Sequence, residues 1–487
     1  MLVNITSRRT KIVATVGPAC AEEETFAALL AAGVNACRLN FSHGAHAEKK
    51  QWIERIRAHA ARQGKNIAIL GDLQGPKIRT GHMAPGGVIL ECGGRAVVTT
   101  RDVVGNQELI STCYAPFPQE VRPGDRILMN DGFIELEAVR TLSSEDVECR
   151  VITGGALGDF KGINLPGVRI STPALTEKDR QDLEFCMAEG LDYVALSFVR
   201  NAEDVADLKK ILYENGADLR VIAKIERPEA VEGFDAILEA ADGIMVARGD
   251  LGVEMRPERV PLIQKRIIRQ CNLAGKPVIT ATQMLESMIK NPRPTRAETS
   301  DIANAVLDGS DAVMLSGETA VGAHPVAAVT VVAQVALDVE QDSTLRAHRH
   351  VPSASSGYRE QPEAIGRAAC RTAEEVEAAA ILAFTQTGSI AAILAKYRPS
   401  VPIIAVTPSR NVQRRMALYS GVSSLLVASE GTTEEQICTV EKTVLAHGDL
   451  KKGDVVVITM GSPISATGTT NLMKVHRLGT SGFYEVY

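Results

Sequence analysis

The chain lacks most of the features that would fix a function at a glance. Its nine cysteines are scattered and include no Cys-x-x-Cys pair. An odd, dispersed set excludes a disulfide framework and a thiolate zinc site, and it fits a reducing compartment. No stretch of about 18 apolar residues occurs, so no membrane span is expected. The segment Met1 to Arg9 has no apolar core of the signal-peptide kind, and a cytoplasmic location is the expectation. Basic residues are not in excess: 53 Lys and Arg against 59 Asp and Glu leave a net charge of −6. The chain as a whole therefore attracts neither nucleic acid nor an anionic membrane, and any anionic ligand must be held by local basic groups. There is no Walker A loop, no kinase-type glycine-rich loop with its catalytic motifs, no internal repeat and no long low-complexity segment.

What is present is an ordinary globular composition, 45% apolar and 23% charged over 487 residues, enough for two to four domains with sizeable cores. Strand-like runs alternate with helix-like stretches. The runs are Lys11–Val16, Ala36–Phe41, Ile67–Leu70, Tyr193–Phe198, Val221–Ile225, Gly243–Ala247, Val278–Thr282 and Ala312–Leu315. Several are almost continuously apolar, as parallel strands covered on both faces must be. Thr176-Glu177-Lys178-Asp179 reads as a capped helix start, with Gly190 following the helix it opens. Eight such units predict a (β/α)8 TIM barrel in an α/β chain; alternation alone leaves a doubly wound open sheet as the alternative.

The third unit is interrupted. From about Lys77 to Leu165 the sequence turns to short alternating strands broken by Pro85-Gly86-Gly87, Gly93-Gly94, Asp131-Gly132 and Gly154-Gly155. This predicts an inserted all-β domain hinged at Pro76 and at Gly162–Gly167. An insertion after a barrel strand emerges over the active-site face, so it reads as a lid. A polar stretch, Arg346 to Pro362, precedes a further α/β region. The expected division is a barrel over 1–75 and 166–345, a lid over 76–165 and a C-terminal α/β domain over 346–487.

Chemistry in a barrel gathers where strands end. The polar residues there are Arg38, Asn40 and Ser42; Asp72; Ser197; Lys224 and Glu226; Gly249 and Asp250; Thr282 and Gln283; Ser316 and Glu318. Glu226 and Asp250 lie 24 residues apart, one strand–helix–strand unit, so the two carboxylates converge. Two carboxylates suit an octahedral Mg2+ that takes its other ligands from substrate and water, unless both are consumed by ion pairs with Arg227 and Arg248. Lys224 is either a Schiff-base nucleophile or a fixed charge. Neighbouring carboxylates favour the charged form and so the second role. Arg38 and Arg79 add guanidinium forks that match phosphate oxygens. A divalent metal, a lysine and two arginines in one cavity point to a phosphorylated substrate that also carries a carboxylate.

With those residues in view the chain resembles pyruvate kinase along essentially its whole length. The resemblance rests on Arg38-Leu39-Asn40-Phe41-Ser42-His43-Gly44, Gly75-Pro76-Lys77-Ile78-Arg79-Thr80-Gly81, Lys161-Gly162-Ile163-Asn164-Leu165-Pro166-Gly167, Val246-Ala247-Arg248-Gly249-Asp250-Leu251-Gly252, Ala281-Thr282-Gln283-Met284-Leu285-Glu286-Ser287-Met288 and Pro294-Thr295-Arg296-Ala297-Glu298. It implies phosphoryl transfer from phosphoenolpyruvate to ADP, giving pyruvate and ATP. By that resemblance Glu226 and Asp250 hold Mg2+, or Mn2+ in its place, and Lys224 stabilises the phosphoryl transition state and the enolate oxygen. The backbone at Gly249 and Asp250 faces the substrate carboxylate. Thr282 belongs to the proton relay, Arg38 and Arg79 touch phosphoryl groups, and Asn40, His43, Arg79 and Lys161 serve the nucleotide. A homotetramer is implied too.

One departure is informative. Most members of the family need K+, bound by residues matching Asn40, Ser42, Asp72 and the carbonyl of Leu73, and they carry Glu at the position of Lys77. Here the segment reads Asp72-Leu73-Gln74-Gly75-Pro76-Lys77, which resembles the K+-independent branch, where the lysine ammonium stands in for the ion. At about 6 Å and an effective dielectric of about 20, each unit of charge changed is worth about 3 kcal/mol, so a further monovalent cation is repelled. In the C-terminal region Thr385-Gln386-Thr387-Gly388-Ser389 opens a helix after a strand, which is either a plain turn or an anion site. The resemblance assigns it to the phosphate of an allosteric effector, expected to be a sugar monophosphate or AMP. Two other readings remain: a Mg2+-dependent aldolase or lyase, which leaves Arg79, Lys161 and the lid without a role, and a metabolite-sensing pseudoenzyme, which the retained Lys224, Glu226 and Asp250 argue against.

Overall fold

Eight short apolar runs close on themselves. In the computed structural model, which describes residues 8–342, 361–428, 431–461 and 470–480, they form a closed parallel barrel. Its strands are β1 (Lys11–Thr15), β2 (Ala36–Asn40), β3 (Ala68–Asp72), β4 (Tyr193–Leu196), β5 (Arg220–Ile225), β6 (Gly243–Ala247), β7 (Val278–Ala281) and β8 (Ala312–Leu315). Each pairs with its sequence neighbour, and β1 closes on β8 with Lys11 opposite Ala312. The open-sheet alternative is thereby excluded. Almost every strand residue is buried, because one face packs inward and the other meets the helical ring. The helix Glu177–Ala188 starts as its sequence predicts: Thr176 Oγ1 accepts from Asp179 N, and the Asp179 carboxylate returns the bond to Thr176 N.

The segment between β3 and β4 forms its own sheet of six strands, in the order Ile163–Asn164, Arg126–Met129, Ile134–Thr141, Asp146–Thr153, Arg95–Thr99 and Leu109–Ser111. A two-stranded piece, Val88–Leu90 with Gly155–Leu157, lies beside it. Its apolar core runs from Ile78 to Ile170 and is separate from that of the barrel. The outgoing and returning connections are paired: Arg79 bridges Gly162, and Thr80 N donates to Lys161 O at 2.8 Å. Arg200 holds the returning chain by donating to Ile170 O and Thr172 O.

The C-terminal region is a five-stranded sheet in the order β11 (Val422–Leu426), β10 (Ile403–Thr407), β9 (Ala380–Phe384), β12 (Val455–Met460) and β13 (Leu472–Arg477), with β13 antiparallel. Its turn Met416–Leu418 enters the bottom of the barrel. Ala417 and Leu418 belong to the same apolar cluster as the inward residues Val13, Leu70, Tyr193 and Met245. The Tyr193 hydroxyl donates to Arg415 O, and Lys11 Nζ donates to Val422 O, both at 2.8 Å. The start of the chain, Met1–Ser7, and most of the polar connection expected over 346–362 lie outside the described residues. Among the described residues no helix is long and apolar enough to cross a membrane.

Candidate active site

The C-terminal ends of β2, β3 and β5 bring four charged side chains into one alternating chain, and the end of β4 adds Ser197. Arg38 Nε meets Asp72 Oδ2 at 2.6 Å. Lys224 Nζ lies 3.2 Å from the other Asp72 oxygen and 2.8 Å from Glu226 Oε1, and donates to Ser197 Oγ at 2.7 Å. The barrel register places them there: Asn40 stands opposite Asp72, and Asp72 opposite Ala195. Asp72 and Glu226 are each only 1% exposed. Burial alone depresses the Lys224 ammonium, but Asp72 and Glu226 more than reverse it and hold it above the usual lysine value. The two carboxylates favour the charged ammonium over the neutral amine that a Schiff-base nucleophile needs. Burial raises Asp72 as well, yet Lys224 and Arg38 outweigh it and keep this carboxylate ionised below its ordinary value. Glu226 goes the other way. Burial pushes its carboxyl up and Asp250 adds to this, with Lys224 opposing.

The ion pairs that would have made Glu226 and Asp250 merely structural do not form. Arg227 pairs with Glu229 at 3.3 Å, and Arg248 pairs with Asp301 at 2.7 Å. Glu226 offers Oε1 to Lys224 and Oε2 to Phe198 N. Asp250, on the short helix Arg248–Glu254 that follows β6, has no cation partner among the described residues. No cluster of three or more His, Cys, Asp or Glu suited to a metal occurs among the described residues. Glu226 and Asp250 offer carboxylate oxygens, the donor type that a hard divalent ion takes, and would leave its other positions to substrate and water.

Thr282 sits behind this pair. Its Oγ1 accepts from Gly249 N at 2.7 Å and donates to Ala281 O at 2.6 Å. Thr282 and Gln283 both adopt positive φ, +69° and +54°, a conformation that costs a β-branched residue. Arg248 holds that turn: it donates to Ala281 O, Thr282 O and the Met284 sulfur while paired to Asp301. Residue-by-residue reading missed this role, although Arg248 lies inside the Val246–Gly252 motif. Gln283 makes no further contribution to the cluster, and Glu318 accepts from Leu285 N and Ser316 N, a backbone-bracing role.

On the other side Asn40 Oδ1 accepts from Ser42 N at 3.0 Å and turns the chain into His43. Partial burial holds the His43 imidazole below its ordinary 6.5, and the charges of Arg79, Lys77, Lys49 and Arg38 lower it further. Arg79 and Lys161 are brought together by the bridge between the outgoing and returning connections, with the Arg79 guanidinium donating to Phe160 O. Lys77 does not sit on Asp72. Both Asp72 oxygens are occupied by Arg38 and Lys224, the Leu73 carbonyl accepts from Ser197, and Lys77 forms no ion pair among the described residues. In the C-terminal region Thr385 Oγ1 accepts from Gly388 N, Thr387 and Ser389 share a hydroxyl bond, and the helix Ser389–Lys396 begins with no side-chain cap. Gln386 lies in that loop, at the end of the strand that precedes the helix.

Comparison with known proteins agrees with this geometry. A family model described as pyruvate kinase, barrel domain, matches residues 7–329, and one described as pyruvate kinase, alpha/beta domain, matches 363–476. The chain is 48% identical over 474 residues to a pyruvate kinase of Geobacillus stearothermophilus, covering 96% of this chain and 80% of that one. It is 45% identical over 471 residues to a pyruvate kinase of Clostridium acetobutylicum, covering 96% and 99%. A solved pyruvate kinase from Cryptosporidium parvum superposes with a TM-score of 0.88 at 38% identity over 98% of both chains. With a closed eight-stranded barrel, a convergent Lys224–Glu226–Asp250 site and matches of this length, the chain belongs to the pyruvate kinase family.

Proposed function

We propose that the chain transfers the phosphoryl group of phosphoenolpyruvate to ADP, giving pyruvate and ATP. The observation that carries this reading is the buried Lys224, locked as a cation beside Glu226 and an Asp250 that has no cation partner among the described residues. Mg2+ held by Glu226 and Asp250 would supply charge neutralisation at the phosphate and carboxylate oxygens. Lys224 faces the bridging oxygen, whose charge grows as the P–O bond breaks and the enolate of pyruvate forms. The backbone at Gly249 and Asp250 faces the substrate carboxylate. Thr282 Oγ1, already in a donor–acceptor chain, passes a proton to the methylene carbon of the enolate. Arg38 and Arg79 orient the phosphoryl group, and Asn40, His43 and Lys161 bind the nucleotide. Phosphoryl transfer needs little beyond such positioning and charge, with water excluded by the lid. A lactate-dehydrogenase-coupled assay with phosphoenolpyruvate, ADP and Mg2+ tests it; no pyruvate under any effector overturns it.

We further propose that activity does not require K+. Lys77 acts through its field, adding positive charge to a cluster that already includes Arg38, Arg79 and Lys49 around His43. Wild-type enzyme is expected to work equally in Na+ and K+ buffers, and Lys77→Glu to acquire K+ stimulation. A tenfold activation of the wild type by K+ would sink the idea. The loop Thr385–Ser389 is proposed to bind the phosphate of a sugar monophosphate or AMP activator, within a homotetramer, and Ser389→Ala should blunt activation while leaving basal turnover intact.

A further inference from the structure

Lys49 is a buried charge without a partner. It lies in the first turns of the helix His46–Gln63 and is 7% exposed. Among the described residues it makes no hydrogen bond and no ion pair. The carboxylates near it are spoken for or too far: Asp182 receives Lys178 at 2.6 Å and His46 at 2.7 Å, and Glu48 comes no closer than 4 Å. Its other charged neighbours, Arg38 and Lys178, are cations. The start of a helix is also the wrong end for a positive charge. Burial lowers the Lys49 ammonium below its usual value, with Glu48 and Asp182 only partly offsetting this. Burial and the helix terminus both disfavour the ammonium, which is partly desolvated and has no ion pair among the described residues.

The ammonium has a direction. A Cβ at Gly44 would lie 3.1 Å from Lys49 Nζ, so the nitrogen hangs over the His43-Gly44 turn. That turn follows Asn40 and carries His43, whose imidazole feels Arg79, Lys77, Lys49 and Arg38 together. Nor is Nζ sealed away, since it is absent from the buried polar atoms that have no partner. Four cations and a neutral imidazole thus surround this space, against Asp72, already paired with Arg38, and Glu48, whose Oε2 would lie 2.6 Å from the same Gly44 Cβ, so positive charge remains in excess. A polyanion entering there would pair Lys49 and Lys77, two ammonium groups that form no ion pair among the described residues.

We propose that Lys49 is a nucleotide-binding residue, its ammonium contacting the phosphate chain of the nucleoside di- or triphosphate. This rests on the reaction proposed above. Lys49→Met keeps the volume and removes the charge; Lys49→Arg keeps the charge. Loss of one charge-assisted bond predicts about a tenfold or greater rise in KM for ADP in Lys49→Met, with KM for phosphoenolpyruvate within twofold and Lys49→Arg close to wild type. Ligand-free Lys49→Met should melt no lower than wild type, because an unfavourable charge is gone, yet gain less Tm from Mg2+–ADP. Calorimetric binding of Mg2+–ADP to wild type and variant reads the same loss without turnover, so it decides the matter even if the wild type forms no pyruvate. Equal ADP affinity in wild type and Lys49→Met would overturn the assignment. So would a matched rise in both KM values, or a ligand-free Tm several degrees below wild type, since these mark a structural lysine.

Discussion

Replacing Lys224 by Met separates its two tasks. The side chain is 11% exposed and its nitrogen touches two carboxylates, at 2.8 and 3.2 Å. Removing it leaves Asp72 paired with Arg38 and Glu226 with no ion pair among the described residues. Breaking a buried pair from one side costs about 3–5 kcal/mol, which should appear as a lower Tm. Part of this is recoverable by pH. Burial already raises Glu226, and without Lys224 its folded-state pKa climbs further above the model carboxyl value of 4.5. A group whose folded pKa is raised contributes stability below its unfolded pKa and loses it as pH rises through the folded one. The Tm deficit of Lys224→Met should therefore be larger at pH 8 than at pH 5.5. On the chemical side, removing one preorganised electrostatic donor costs about 10²–10³ in kcat. The coupled assay at saturating substrates, run on protein verified as folded by circular dichroism, reads this directly. A variant within tenfold of wild-type kcat would refute the view that this ammonium stabilises the developing enolate. A Tm deficit that grew toward acid pH would refute the charge argument for stability.

Two further changes probe the surroundings. His43 is held below 6.5 in the fold, so the unfolded chain takes up its proton first as pH falls, and the stability linked to it is complete above pH 6.5 and lost below. The Tm difference between wild type and His43→Gln should accordingly shift against the wild type between pH 7.5 and 5; a difference constant across that window would count against the cationic surroundings of His43. Glu254 accepts from Asn164, in the inserted six-stranded sheet, at 2.9 Å, its second oxygen is buried without a partner among the described residues, and burial raises its carboxyl. Glu254→Gln keeps an acceptor for Asn164 and cannot ionise, so its Tm advantage over wild type should grow as pH rises from 5 to 8, whereas Glu254→Ala should make residues 76–165 more susceptible to limited proteolysis; a Gln variant less stable than wild type at pH 8 would contradict this.

The barrel was legible because its strands are buried on both faces and so read as unbroken apolar runs, each within a residue or two of the observed bounds. The C-terminal sheet was only partly so. β11, with Ser423 and Ser424, and β13, an edge strand carrying Lys474, His476 and Arg477, lack that signature. At the site, spacing brought Lys224, Glu226 and Asp250 together, since one barrel unit fixes their separation. It could not say which cation Asp72 would choose. That depends on side-chain reach across β2, β3 and β5, and the choice fell on Arg38 and Lys224. Lys49 and Arg248 were likewise invisible as individuals: each matters through partners it has or lacks in space, which periodicity does not encode.

The floor of the barrel has a temporal consequence. Leu418 fills it, and Val422 receives a bond from Lys11 on the first strand. During synthesis the eight strands are complete at Leu315, but the residues that stopper them come about 100 positions later. At ribosomal rates of about 5–20 residues/s, the nascent barrel waits about 5–20 s with Tyr193 and Met245 facing an unfilled hole. The first strand is thus finished by residues made about 100 positions after the eighth strand.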